Sequence, residues 1–177
     1  SPARWPGLVL TLVGETGAAN LAQGEADAAL RLSRPTAPGL VVRALGRVGY
    51  GLYGSAAHCA LPVAQRVFIG FDEGHAHTPQ QRALDAHVGA RRWALRTNDV
   101  LTMQQAAVAG WGLALLPHFL ARQDERLQAV ADEAPLACSR TLYLVLPAGL
   151  RRTPRVRLVV DELAALVAQH AGWLAGD

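Results

Sequence analysis

Apolar positions follow two rhythms along this chain. Short apolar runs bounded by Gly, Pro or polar clusters predict strands at residues 8–13, 27–32, 67–71, 93–96, 113–116 and 141–146, with a brief one at 127–130. Helix-forming stretches alternate with them at 18–25, 79–87, 99–109 and 118–122. Gly24 can end the first helix. Ser55 can cap a short helix that runs through His58. Pro117 stops the strand at 113–116.

The strongest helical signal is C-terminal. Val156, Val159, Val160, Leu163, Leu166, Val167 and His170 recur three and four residues apart, after Thr153 as N-cap and Pro154 at the first helical position. Residues 40–53 form one long extended run dotted with Gly46, Gly49 and Gly51, as expected of a strand that bends or passes between lobes.

Strand–helix–strand order over residues 8–32 predicts a parallel βαβ unit with a right-handed crossover. The alternation over 67–130 predicts a second parallel α/β lobe. The strands at 40–53 and 141–146 bracket that lobe and are expected to cross between the two. The reading is α/β: two Rossmann-like lobes joined by two crossing strands. Residues 1–47 and 152–177 form lobe I, and 48–151 form lobe II, with the last helix packed on lobe I.

Composition narrows the function. With 51% hydrophobic and 18% charged residues, the chain can bury a core and is not disordered. The net charge is +3, and all 17 basic residues are Arg. They are scattered, apart from Arg91-Arg92 and the group Arg151, Arg152, Arg155 and Arg157, with no interleaved aromatics. The basic pI therefore reads as a solvated surface and not a nucleic-acid face. Cys59 and Cys138 do not make a disulfide framework, and a reducing compartment is the default. No apolar run reaches the roughly 18 residues that a membrane span requires.

Candidate chemistry gathers where strands meet helices. In open parallel sheets, ligands sit beyond the carboxyl ends of the strands. Arg96-Thr97-Asn98-Asp99 is such an exit. Asn98 or Thr97 can cap the next helix and leave other first-turn amides, with Val100 following, to hold an anion; an ordinary cap without a ligand is the other reading. Lobe I would face this exit with Gly14 to Thr16 and with Leu32-Ser33, which solvated turns would equally explain.

Neutral loop histidines explain His75-x-His77 better than a metal site, because Asp72 and Glu73 supply no obvious third ligand. His58-Cys59 lacks an orienting group for nucleophilic catalysis. Gly110-Trp111-Gly112 is helix C-cap chemistry. No Gly-x-Ser-x-Gly, P-loop or Gly-x-Gly-x-x-Gly pattern occurs, so neither enzyme nor cofactor chemistry is expected.

Six segments in order resemble a known family. They are Leu21-x-x-Gly24-x-x-Asp27-Ala28-Ala29-Leu30-Arg31-Leu32; Leu40-Val41-Val42-Arg43-x-Leu45-Gly46; Gly54-Ser55-x-x-His58; Thr97-Asn98-Asp99 with Ala106-Ala107-x-Ala109-Gly110-x-Gly112-Leu113-Ala114-Leu115-Leu116-Pro117; Leu142-Tyr143-Leu144-Val145-x-Pro147; and Pro154-Arg155-Val156-Arg157. Together they resemble the effector-binding domain of LysR-type transcriptional regulators.

The resemblance implies a periplasmic-binding-protein-like (type 2) fold and a small, often carboxylate-bearing effector held between lobes. The implied site is Gly14, Thr16, Leu32, Ser33, Ser55, Thr97, Asn98, Asp99, Val100 and Pro117. It further implies a cytoplasmic homodimer or homotetramer that meets DNA only through a winged helix-turn-helix. On this reading that head, and the first strand and most of the first helix of lobe I, are expected to lie outside this chain. A periplasmic solute-binding protein of the same fold, or an enzyme on a related two-lobed fold, are the alternatives.

Overall fold

The computed structural model describes residues 6–14 and 21–177. The chain divides into two compact units: residues 1–45 with 142–169 (unit 1), and residues 46–141 with 170–177 (unit 2).

In unit 1, strand β1 (Ala29–Arg31) pairs antiparallel with the far part of strand β7 (Cys138–Pro147), Ala29 opposite Val145. Helix α5 (Pro154–Gln169) follows. Leu21, Leu144, Val145, Leu146 and Val167 are the buried apolar residues of this unit among those described. The expected strand at 8–13 joins no ladder, and Val9 and Leu12 are almost fully exposed. An apolar run supplies side chains for a strand but not the neighbour its backbone must bond. Without it, the parallel βαβ unit does not form, and β1 pairs antiparallel. Of the helix expected at 18–25, the described residues show only a 3-10 turn, Leu21–Gln23.

Unit 2 holds the parallel sheet. Strand β2 (Leu40–Gly54) enters it and pairs antiparallel with β5 (Leu113–Pro117). Strand β3 (Phe68–Phe71) lies between β5 and β4 (Trp93–Thr97), parallel to both. The two-residue β6 (Gln128–Ala129) pairs with β2. Helix α1 (Ala56–Cys59) follows β2, with the Ser55 hydroxyl accepting from the His58 N–H, as the sequence predicts. Helix α2 (Pro79–Val88) starts on its proline, and Gly89 (φ +57) ends it.

Helix α3 (Val100–Val108) joins β4 to β5, and Gly110 (φ +79) ends it, as its C-cap chemistry requires. The short α4 (His118–Ala121) leaves β5 at Pro117. Met103 and Ala107 of α3 pack on Tyr53, Ile69, Phe71, Ala114 and Leu116 to make the core.

The unit boundaries differ from the expected ones. The chain returns to unit 1 at Leu142, within β7 and not after it, while the C-terminal helix ends at Gln169, next to the last position of its expected pattern, His170. A further short helix, α6 (Ala171–Ala175), belongs to unit 2, where Phe119 of α4 is its apolar partner.

Charge pins the amino-terminal edge of the unit 2 sheet. Arg66, just before β3, is only 2% exposed. It donates to the carbonyls of Cys59 and Leu61, to both Asp132 oxygens (2.7 and 2.8 Å), and to Glu133. Glu133, whose side chain is also buried, accepts from Arg91 and lies 2.9 Å from His87 Nε2. Burial pushes the Glu133 carboxyl up, but hydrogen bonds from Arg91, His87 and Arg66 together hold it below its usual value.

Because its folded pKa lies below the unfolded one, this stability is full above the ordinary carboxylate range and is lost as pH falls through the folded value. Arg66→Ala should cost about 3–5 kcal/mol in urea unfolding and move acid unfolding to higher pH. A free energy within about 0.5 kcal/mol of the parent would remove this cluster from the list of major stabilisers.

Candidate functional site

The three parallel strands of unit 2 end at one edge: β3 at Phe71-Asp72, β4 at Thr97-Asn98, β5 at Pro117-His118. The chain leaves β3 toward β4 on one side, while β5 lies on the other. The β3/β5 boundary is therefore the switch point at which such sheets open a crevice. Asp72 donates its N–H to the Thr97 carbonyl at 3.0 Å, so the exits of β3 and β4 are tied side by side.

Thr97 and Asn98 stand at this edge, with Asn98 exposed and Thr97 half-buried. The helix cap is neither of them. Asp99 is the N-cap of α3: its carboxylate accepts from the Thr102 N–H at 2.7 Å and the Thr102 hydroxyl at 2.6 Å. These bonds, the hydroxyl first, hold its carboxyl below the usual range. Thr97 Oγ1 instead accepts from the Asp99 N–H. The first-turn donors expected to await an anion thus already serve a carboxylate of the chain itself. Asp99 has the extended backbone of a cap (φ −124°, ψ 123°), and its charge also meets the positive end of the helix.

Pro117 is buried, and the residue after it carries the chemistry. The Tyr53 hydroxyl lies 2.7 Å from His118 Nδ1, and the two rings meet edge-on at 5.9 Å. Burial, and then Arg122, push His118 below its usual pKa. When the Tyr53 hydroxyl donates to Nδ1, the neutral ring carries its proton on Nε2 and keeps one donor. On the β3 exit, His75 Nδ1 lies 3.0 Å from Asp72 Oδ1, and its ring stacks on Phe71. Asp72 and His118 were not singled out as ligand contacts from sequence. Their signal was their place, first after a parallel strand.

Thr97, Asn98, Asp99, Val100 and Pro117 therefore share one edge. Ser55 does not join them. Because β2 runs antiparallel to β5, Ser55 lies at the opposite edge, beside Gly110 at the far end of α3. Leu32, Ser33 and Gly14 lie in unit 1, and Thr16 lies outside the described residues. Among the described residues, no three His, Cys, Asp or Glu side chains gather as metal ligands, and no helix is long and apolar enough to cross a membrane. Both cysteines are free thiols.

A sheet of parallel strands alternating with helices, entered by the long strand β2 and left by β7, is that of the two-lobed, periplasmic-binding-protein-like class. The chain belongs to the LysR substrate binding domain family, which it matches over residues 3–168. It is 27% identical, over 97% of its length and 58% of the relative's, to the Mau operon transcriptional activator of Paracoccus denitrificans. It resembles CrgA, a LysR-type regulator from Neisseria meningitidis, with TM-score 0.76 and 21% identity over 94% of this chain and 60% of that one. It resembles the effector domain of AmpR from Pseudomonas aeruginosa with TM-score 0.74 and 19% identity, over 96% and 85% of the two chains. The chain thus spans about three fifths of the first two.

Asp99→Ala should lower the melting temperature by uncapping α3, and Asp99→Asn should retain most of the stability, since Asn also caps. The Asp99→Asn deficit should shrink as pH falls through the depressed folded pKa, where the parent carboxylate is itself protonated. Equal melting temperatures for parent and Asp99→Ala would show that the cap carries no weight.

Proposed function

We propose that this chain is the effector-sensing domain of a LysR-type transcriptional regulator, binding a small metabolite and having no catalytic role. The observation that carries this reading is the family match over residues 3–168. In keeping with the family, the domain pairs as a homodimer or homotetramer in the cytoplasm, and a separate part of the whole protein contacts DNA.

We place the effector on the carboxyl edge of unit 2. Thr97 and Asn98 supply hydroxyl and amide groups, Val100 an apolar contact, and Asp72 and His118 flank the switch point. An acidic group on the effector would be met by the Asn98 amide and His118, because Asp99 already holds the first turn of α3. Occupancy changes transcription only if the metabolite binds one arrangement of the regulator better than another.

Calorimetry with a panel of small metabolites, carboxylates and neutral polar compounds among them, tests this. A binder should emerge, and Thr97→Ala/Asn98→Ala should weaken it by about tenfold or more, since each lost hydrogen bond to a bound group is worth roughly 0.5–1.5 kcal/mol. Unchanged affinity in the double variant would move the site elsewhere.

A further inference from the structure

Strands β2 and β5 meet in a register that sets Tyr50 opposite Pro117. Alternate residues of a strand share a face, so Gly49, Gly51 and Tyr53 line one side of β2. The His118 ring lies on that side. A Cβ on Gly49 would stand 3.0 Å from its Cδ2, and one on Gly51 would stand 2.6 Å from its Cε1. Gly176, which caps α6, borders the same ring, and a Cβ there would stand 2.9 Å from Cγ. Glycine weakens a strand interior and marks a close approach. Here two strand glycines leave a floor for an imidazole. Tyr53, two residues further on, brings a hydroxyl to 2.7 Å from Nδ1.

The position of one proton decides what this ring offers. Tyr53 is 3% exposed, while His118 is half-buried. Among the described residues, the Tyr53 hydroxyl and His118 Nδ1 are each other's one hydrogen-bond partner, and Nε2 has none. If Nδ1 carried the proton and donated to Tyr53, the phenolic proton would be buried without an acceptor. That arrangement is disfavoured by about tenfold or more, because a buried donor then gives up its water and gains no bond. If the hydroxyl instead donates to a bare Nδ1, the remaining proton sits on Nε2 of a half-buried ring, where water or a ligand can meet it. The second arrangement wins. Burial of the ring, and then Arg122, oppose protonation at both nitrogens.

We propose that Gly49-x-Gly51-x-Tyr53 is a seat that holds His118 as a single neutral tautomer, so that the carboxyl edge presents Nε2–H as a standing donor. Tyr53 is a positioning residue: it acts through His118 and needs no contact with the ligand. An edge with this donor selects a ligand group that accepts, such as a carboxylate or carbonyl oxygen, over one that only donates, such as an ammonium. The selectivity rests on the placement of the effector at this edge; the tautomer does not.

Long-range proton–nitrogen NMR on the isotope-labelled full chain tests this at about pH 8, where histidine is ordinarily neutral. His118→Gln assigns the ring signals. In the parent, Nδ1 should give the signature of a bare nitrogen and Nε2 that of an N–H. Tyr53→Phe keeps the aromatic ring and removes the hydroxyl. The ratio of bare to protonated Nδ1 should then fall by about fivefold or more, roughly the worth of one hydrogen bond. Acetate should move the parent's Nε2 signal, and methylammonium, of similar size and opposite charge, should not.

A protonated Nδ1 in the parent overturns the proposal without any variant. An unchanged ratio in Tyr53→Phe removes Tyr53 from the role. If that variant disturbs the core, seen as lost amide protection at Leu113, the parent decides, by whether the Tyr53 hydroxyl proton couples to Nδ1. A fixed tautomer that ignores acetate overturns the selectivity. Failure of the effector placement reads differently: Thr97→Ala/Asn98→Ala leaves metabolite affinity unchanged while His118 keeps its single tautomer.

Discussion

The buried guanidinium of Arg66 organises unit 2. A charge taken out of water must be met on every side, and Arg66 is met by the carbonyls of Cys59 and Leu61 and by Asp132 and Glu133. Those groups come from the link between β2 and β3 and from the segment that leads to β7. Through His87 and Arg91, Glu133 adds the end of α2. One cluster thus fastens three connections at the amino-terminal edge of the sheet, and it sets where β7 departs.

That arrangement gives the two edges opposite characters. At the amino-terminal edge, side-chain hydrogen bonds are spent on one another. At the carboxyl edge, β4 and β5 run almost straight into helix starts, at Val100 and His118. Exposed Asn98, half-buried Thr97 and the His118 ring remain near the surface there. Ser55 shows the same polarity in reverse: a hydroxyl suited to ligand contact is committed to capping α1, because antiparallel β2 delivers it to the fastened edge.

Much of this was legible in the sequence. The parallel alternation over 67–117 is visible because each strand there is a compact apolar run and each helix begins or ends on Pro or Gly. The strand at 40–53 and the helix from Pro154 appear almost as read. What escaped depends on partners. The run at 8–13 has the composition of a strand but joins no ladder. The choice of Asp99 over Asn98 as cap turns on backbone angles one residue apart, which three adjacent cap-forming residues do not reveal. The Arg66 cluster joins residues more than 60 positions apart, and a lone Arg in a loop carries no mark of burial.

Residues 46–141 form an uninterrupted stretch inside a unit built from the segments on either side of it. Its two ends lie on β2 and β7, which are hydrogen-bonded neighbours. A segment whose ends already adjoin imposes little loop entropy on its host. Apart from the eight tail residues, unit 2 is therefore modular. Its sequence can drift, or be exchanged for that of another protein, without re-threading the host unit.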